Sequence, residues 1–379
     1  MLKPTDLLIL YLFFFLGMTA FALLINRVLL RFVKTLGTKN QPGAVVRWSE
    51  QTKPAIGGLA FFIIFLISLC VYSIVFDPEK IFHSTSMLGL LLAGTLGFIL
   101  GLTDDAYNTR PFLKFFVQIT CGIILVVTGT TIDIFESEVV NAFLTIFWVT
   151  GIMNSINMLD NMDGIATSVT SFILVAALGY IIIHNQFNNV DFLILLGILA
   201  ALIGFLFYNW NPSKMYMGDT GSQFLGVFLG YIGIEYCWNA VNLEGESSPL
   251  FGISVLLLVF ILPLADTATV TINRLRRGQS PFVGGKDHTT HNLSYLGCTD
   301  KQVAGIFALI ATFSIFFYLM LISWGSVDNT IIAGICIVYF LAIFLILFGI
   351  TEYNQRRSNG VEDSQPLEEK IKYENVPLE

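Results

Sequence analysis

Two adjacent carboxylates, Asp104 and Asp105, close the run Gly101-Leu-Thr-Asp-Asp105 at the end of an apolar stretch. Side by side at a helix C-terminus they repel each other and sit at the negative end of the dipole. A bound divalent cation relieves both costs, and plain solvation at a membrane boundary is the alternative. Asp219 lies in Met217-Gly-Asp-Thr-Gly-Ser222. It can cap a helix or, with glycines nearby that allow close backbone approach, hold a ligand. Asn154, Asn157, Asp160 and Asp163 recur every third residue. On a helix each such step turns by about −60°, so neighbours touch while the four spiral over half the circumference. So many amides and acids near the end of an apolar run are costly unless they are occupied or act as caps. Cations follow in Arg274, Arg276, Arg277 and Lys286, with His288 and His291 three residues apart. Hard oxygen ligands elsewhere favour magnesium, which rarely takes imidazole, so phosphate contact suits these histidines better than metal ligation. Hard-cation carboxylates combined with Lys, Arg and His are the equipment of phosphoryl transfer.

The elements that carry these groups are membrane helices. The 379 residues are 55% hydrophobic and 12% charged, with 34 phenylalanines and a mean hydropathy of +0.75. A soluble domain carries roughly 25% charged residues, so a nucleic-acid binder, a disordered scaffold and an ordinary cytoplasmic enzyme are excluded. The fold class is all-α, a polytopic integral membrane protein. Windows of about 20 apolar residues give eleven spans: 6–33, 56–76, 86–103, 112–129, 139–157, 164–184, 191–210, 220–238, 250–272, 302–324 and 328–350. Residues 1–350 form one membrane-embedded domain, and the polar tail 351–379 reads as disordered. The fourth span is the weakest, because Lys114 and Gln118 interrupt it. Cysteines are scattered, with no CxxC or Cys/His cluster for a disulfide framework or a zinc site.

Charge sets the orientation. Connections after the odd-numbered spans hold Arg31, Lys34, Lys39, Arg47, Lys53, Arg110, Lys114, Lys214, Arg274, Arg276, Arg277, Lys286 and Lys301. The opposite loops hold Lys80 among Asp77, Glu79, Asp133, Glu136, Glu138, Glu244, Glu246 and Asp328. By the positive-inside rule the N-terminus faces outward and the C-terminus is cytoplasmic. Every chemistry-bearing connection then falls on the cytoplasmic side, while Asp266, after Pro263, is an acid inside a span. A secondary transporter would place its coupling residues near the bilayer midplane instead. A site at the membrane face suits a lipid phosphate as one substrate.

At these residues the sequence resembles the polyprenyl-phosphate N-acetylhexosamine-1-phosphate transferase family, glycosyltransferase family 4. The resemblance covers roughly 45–300. It rests on Pro54-Ala-Ile-Gly-Gly58, Gly101 to Asp105 with Lys114 beyond, Asn154 to Gly164, Met217 to Ser222, and Pro263 to Thr267. Two positions depart from the family's pattern: Asn161 stands for a glycine, and Thr290 replaces the middle histidine of His-x-His-His. A threonine still donates to a phosphate oxygen but carries no charge. The branch resembled is that of undecaprenyl-phosphate GlcNAc-1-phosphate transferases, with phospho-MurNAc-pentapeptide transferases the alternative. The resemblance implies transfer of a hexosamine 1-phosphate from a UDP-N-acetylhexosamine to undecaprenyl phosphate, with UMP released, at the start of cell-envelope polysaccharide synthesis. It implies a multi-pass protein of the bacterial inner membrane, in contact with membrane lipids, with its active site on the cytoplasmic face and a homodimer as an open assembly state. It further implies Mg²⁺, or Mn²⁺, held by Asp105 and Asp219, and Asp104, Asp105 and His288 as catalytic residues. Asn154, Asn157, Asp160 and Asp163 would meet uridine, sugar or groups behind them, and Lys114, Arg276 and His291 the phosphates, beside His288.

Overall fold

The computed structural model describes residues 4–36, 53–76, 84–281, 284–324 and 330–363. Lys39, Arg47, Asp77, Glu79, Lys80, Asp328 and the tail 364–379 lie outside the described residues. The helices in chain order are α1 (Pro4–Leu36), α2 (Gly58–Val75), α3 (Thr85–Tyr107), α4 (Pro111–Val127), α5 (Glu138–Leu159), α6 (Ile165–Ile183) and α7 (Val190–Asn209). Then come α8 (Gly218–Gly233), which runs into a π-helical turn (Ile234–Trp238), α9 (Pro249–Val259), α10 (Ile261–Arg276), α11 (Thr289–Tyr295), α12 (Asp300–Trp324) and α13 (Thr330–Asp363). The protein is an all-α, multi-pass membrane protein.

Each of the eleven expected spans has a helical counterpart, but they are not equivalent. Among the described residues eight helices are long and apolar enough to cross a membrane, and the α9–α10 pair makes a ninth. The two that fall short are α4 and α8. Both are too short, at 17 and 16 residues, and each carries polar residues at one end, Lys114 and Gln118 on α4 and Asp219 to Gln223 on α8. The expected span 250–272 is broken, with α9 and α10 meeting at 83°. Pro263 sits in the first turn of α10, where its missing N–H costs nothing; in an unbroken helix it would remove a bond and clash one turn back. The carbonyl of Pro263 accepts from Ser155 Oγ of α5 at 3.0 Å. The last helix runs past residue 350 as far as Asp363, and Thr351 is buried.

Helix α8 is the centre of the bundle. It packs most closely on α3 and α5, and nearly all of its residues are buried. Small residues permit this. A Cβ added at Gly101 of α3 would lie 2.1 Å from the carbonyl oxygen of Asp219. Gly101→Ala should therefore force α3 away from α8 and cost about 1–3 kcal/mol, the usual range for overpacking. A thermal unfolding midpoint in detergent equal to that of the unchanged protein would contradict this close approach. At the far end of α8, Tyr231 and Tyr236 both donate to Asp191 of α7, at 3.1 and 2.6 Å. On a regular α-helix residues five apart point about 140° away from each other; the π turn brings both hydroxyls to one carboxylate.

The connections sort into two polar ends. The α3–α4, α5–α6, α7–α8 and α10–α11 connections meet at one end, as the contacts below detail. The α4–α5, α6–α7 and α8–α9 connections meet at the other, where Asp133 N–H donates to Asn239 Oδ1 and Asn189 Nδ2 to the hydroxyl of Tyr236. The grouping is the one read from the loop charges.

Candidate active site

At its C-terminus α3 is stopped by Asn108 in a left-handed conformation (φ 51°). The chain then turns so that Thr109 donates its N–H (2.8 Å) and hydroxyl (2.5 Å) to Asp104 Oδ1. The other oxygen of Asp104 pairs with Lys114 from the first turn of α4. The Lys114 ammonium also lies 3.2 Å from Asp219 Oδ2. One cation thus bridges two carboxylates from different helices. Asn157 of α5 donates to Asp219 Oδ1 at 2.6 Å and to Ser222 Oγ at 2.9 Å. Deeper in the bundle, Gln118 donates to Gln223 Oε1 (3.1 Å) and exchanges hydrogen bonds with Asn154. These buried amides tie α4, α5 and α8 together beneath the carboxylates.

Asp105 is used differently from its neighbour. Its Oδ1 accepts from the Asp219 N–H at 3.0 Å, and its Oδ2 from the N–H and hydroxyl of Thr220 at 2.9 and 2.7 Å. These are the leading N–H groups of α8, which have no partner within their own helix, and an anion there also complements the dipole. Gly218 adopts φ +74°, and a Cβ at this position would come within 2.6 Å of Asp105 Oδ2. The glycine is needed for the carboxylate to seat. On the other side, Pro54 to Gly58 runs beside Tyr216 and Met217, with Gly57 N–H on Tyr216 O (3.1 Å) and Gly58 N–H on Met217 O (2.9 Å).

A second centre forms around α11. His288 Nδ1 lies 2.9 Å from Asp266 Oδ2, and Thr289 gives its N–H (2.8 Å) and hydroxyl (2.6 Å) to Asp266 Oδ1. The intramembrane acid of the sequence is thus the anchor of the histidine segment. Thr290 donates to Asn161 Oδ1 at 2.7 Å. The rings of His288 and His291 meet edge to face, with centroids 5.4 Å apart. Asn354 of α13 donates to the backbone oxygen of Asn292 at 2.8 Å. The C-terminal turns of α5 lie between the two centres: Asn154 and Asn157 reach α4 and α8, Ser155 reaches α10, and Asn161 reaches α11.

Burial pushes the His291 imidazole down to about 4, with the His288 ring adding to this and Asp266 and Asp287 opposing it. The unfolded chain would bind that proton near pH 6.5. Stability from this group is therefore complete above about pH 6.5 and falls as the pH drops toward 4, because the unfolded state then holds more protons. His291→Gln should flatten the loss of thermal stability between pH 6.5 and 4. An unaltered slope would show that His291 is not buried in its neutral form.

Other expected site residues go elsewhere. Asp163 accepts from Ser213 N–H (2.9 Å), Ser213 Oγ (2.7 Å) and Asn211 Nδ2 (3.3 Å), and lies 3.5 Å from Lys53 Nζ. It fastens the α5–α6 turn to the α7–α8 connection. Asp160 is the half-buried residue at the C-cap of α5. Arg276 is 60% exposed and turns to α13, pairing with Glu352 at 3.0 Å over the ring of Phe348. The structure does not bring it to the histidines. Its neighbours Arg274 and Arg277 both pair with Asp287, at 2.7 and 2.8 Å. Burial works against ionisation of Asp287, but the two guanidinium groups hold its carboxyl below the usual range. Arg274, Arg277, Gln279, Ser280, Lys286 and Asp287 line a cavity of about 500 Å³.

Among the described residues no group of three or more His, Cys, Asp or Glu side chains is disposed to hold a metal ion. Magnesium does not need one, since it is usually bound through one or two carboxylates together with substrate phosphates and water. Asp104 and Asp219, converging on a single Lys114 ammonium, fit that donor set. Asp105 fits it less well, its oxygens being engaged by the start of α8.

The sequence pattern of glycosyl transferase family 4 matches residues 87–237, the stretch from α3 to the π turn that carries Asp104, Lys114, Asn157 and Asp219. Relatives extend the likeness over most of the chain. A probable undecaprenyl-phosphate N-acetylglucosaminyl 1-phosphate transferase of Bacillus subtilis is 28% identical over 85% of this chain and 87% of its own. The undecaprenyl-phosphate alpha-N-acetylglucosaminyl 1-phosphate transferase of Escherichia coli O157:H7 is 28% identical over 81% of this chain and 80% of its own. A phospho-N-acetylmuramoyl-pentapeptide-transferase of Streptococcus agalactiae is 32% identical over a shorter stretch, 48% of this chain and 59% of its own.

Proposed function

We propose that this protein transfers GlcNAc 1-phosphate from UDP-GlcNAc to undecaprenyl phosphate and releases UMP. The observation that carries the reading is the Lys114 bridge between Asp104 and Asp219, a compact charged centre at a bundle end. The names of the relatives matched over most of the chain support the same substrates. The acceptor is a phosphate monoester, whose second pKa of about 6 leaves it largely dianionic at neutral pH. Its oxygen attacks the β-phosphorus of the donor, and the bond from that phosphorus to the bridging oxygen breaks as UMP leaves. Such a reaction asks for charge shielding and alignment more than for a strong base.

In this reading Lys114 draws the acceptor phosphate toward Asp104 and Asp219, and Asn157 fixes the Asp219 carboxylate. Asp104 organises the acceptor, with its orientation held by Thr109. Asp105 keeps the start of α8, and so Asp219, in place. Mg²⁺ would be held by Asp219 and Asp104 and would supply charge neutralisation at the phosphates. Arg277 and Lys286 line the cavity that suits the donor's diphosphate, with the histidine segment alongside. In this reading the site faces the cytoplasm of a bacterial inner membrane, and the positive loop charges at that end support the side.

The test compares donors. Protein in nanodiscs with undecaprenyl phosphate and Mg²⁺ should convert UDP-GlcNAc to a lipid-linked GlcNAc diphosphate, seen by mass spectrometry. Conversion of UDP-MurNAc-pentapeptide in its place would assign the protein to the muramoyl branch.

A further inference from the structure

The short helix α11 is held residue by residue, and each hold comes from a different element. His288 and Thr289 are fixed by Asp266 of α10, and Asn292 by Asn354 of α13. Between them stand Thr290 and His291, which are 0% and 2% exposed. The Thr290 hydroxyl donates to Asn161 Oδ1 at 2.7 Å. The Asn161 amide cannot turn freely, because its Nδ2 donates to the carbonyl of Met158 at 2.9 Å in the last turn of α5. Its oxygen is therefore directed at Thr290. His291 is the next residue along the same helix, its ring edge to face with that of His288 at 5.4 Å between centroids.

A seven-residue helix has little stability of its own, so its rotation about its axis is set by these side-chain contacts. A slip of one residue would turn α11 by about 100° and carry His291 away from His288. Removing the Asn161 contact would also leave a hydroxyl buried and unpaired, at a cost of about 1–3 kcal/mol. Positions 161 and 290 are, moreover, the two at which the sequence departs from the pattern it otherwise follows.

We propose that Asn161 is a positioning residue, paired with Thr290, that sets the rotation of α11 and thereby the placement of His291 beside the phosphate-binding centre. The two departures from the pattern are then one feature, a matched pair. The inference rests on the proposed transferase reading for its kinetic readout only. Asn161 touches no reacting group; it acts through Thr290.

The test is a double-variant cycle with a second readout independent of activity. Asn161→Leu and Thr290→Val remove the hydrogen bond with little change of volume. Each should lower kcat for UMP release about tenfold, and the double variant should fall no further than the worse single, since residues in contact couple by that much. Thr290→Ser, which keeps the hydroxyl, should retain kcat within about twofold. Thr290→His alone should lose activity, because the buried site has no room for an imidazole beside the Asn161 amide. Asn161→Gly combined with Thr290→His should be more active than Thr290→His.

The independent readout is diethylpyrocarbonate modification of His291, followed by peptide mass spectrometry on the intact protein. It should be slow in the unchanged protein and severalfold faster in Asn161→Leu. Multiplicative losses in the double variant, or equal modification rates in Asn161→Leu and the unchanged protein, would overturn the pairing. An absence of UMP release from the unchanged protein would refute the transferase reading instead, and the modification rates would still decide the positioning role.

Discussion

Asp219→Asn should slow UMP release by about 10²–10³-fold, the usual cost of removing one preorganised charge-stabilising group, with the thermal unfolding midpoint nearly unchanged. The carboxylate of Asp219 takes Asn157 of α5 and shares the Lys114 ammonium of α4 with Asp104, contacts an amide of the same shape can still accept, whereas it caps no helix. An amide has the same shape and still bonds Asn157, but it has lost the negative charge that would hold Mg²⁺ at the phosphates. Asp105→Asn should behave in the opposite manner. Its oxygens accept the leading N–H groups and the Thr220 hydroxyl of α8, so an amide there removes a helix cap worth about 0.5–2 kcal/mol. Activity should then fall together with the unfolding midpoint. The two adjacent aspartates are thus distinguished by stability and not by rate alone. A stable but inactive Asp105→Asn, with Asp219→Asn near normal, would reverse the assignment.

Lys114→Met should be the most damaging single change for both folding and turnover. Asp104 is almost fully buried, and Lys114 is its cationic partner as well as that of Asp219. Breaking a buried ion pair by removing one partner costs about 3–5 kcal/mol, because a charge stays behind unpaired. Two carboxylates left facing each other also repel. A divalent cation relieves that repulsion, so Mg²⁺ should raise the unfolding midpoint of Lys114→Met more than that of the unchanged protein. Equal shifts, or none, would show that the ion does not meet Asp104 and Asp219.

The membrane class, the helical runs and the grouping of the polar connections at one end of the bundle were all legible in the sequence, because apolar length and loop charge are set by the bilayer and not by tertiary detail. The clustering of Asp104, Lys114, Asn157 and Asp219 was legible too, since such groups are rare near membrane helices unless used. What the sequence hid depends on which partner each group finds. Asp104 and Asp105 are indistinguishable by type, yet the turn at Asn108 sends one to Lys114 and the other to α8. Arg274, Arg276 and Arg277 look alike in a positive-inside loop, and the helical rotation of α10 decides which of them meets Asp287. Pro263 was visible, but whether it kinks one span or separates two helices depends on what receives its carbonyl, here Ser155. Asn161 and Thr290 stand 129 residues apart, and no local pattern links them.

The most direct measurement follows UMP and lipid product together. Purified protein in nanodiscs is given UDP-GlcNAc, with undecaprenyl phosphate present or omitted, and with Mg²⁺ or a chelator. The account predicts one UMP for each lipid-linked GlcNAc diphosphate, with neither formed when the acceptor or the divalent ion is withheld. UMP release that continues without undecaprenyl phosphate, or the absence of both products under every condition, would contradict it.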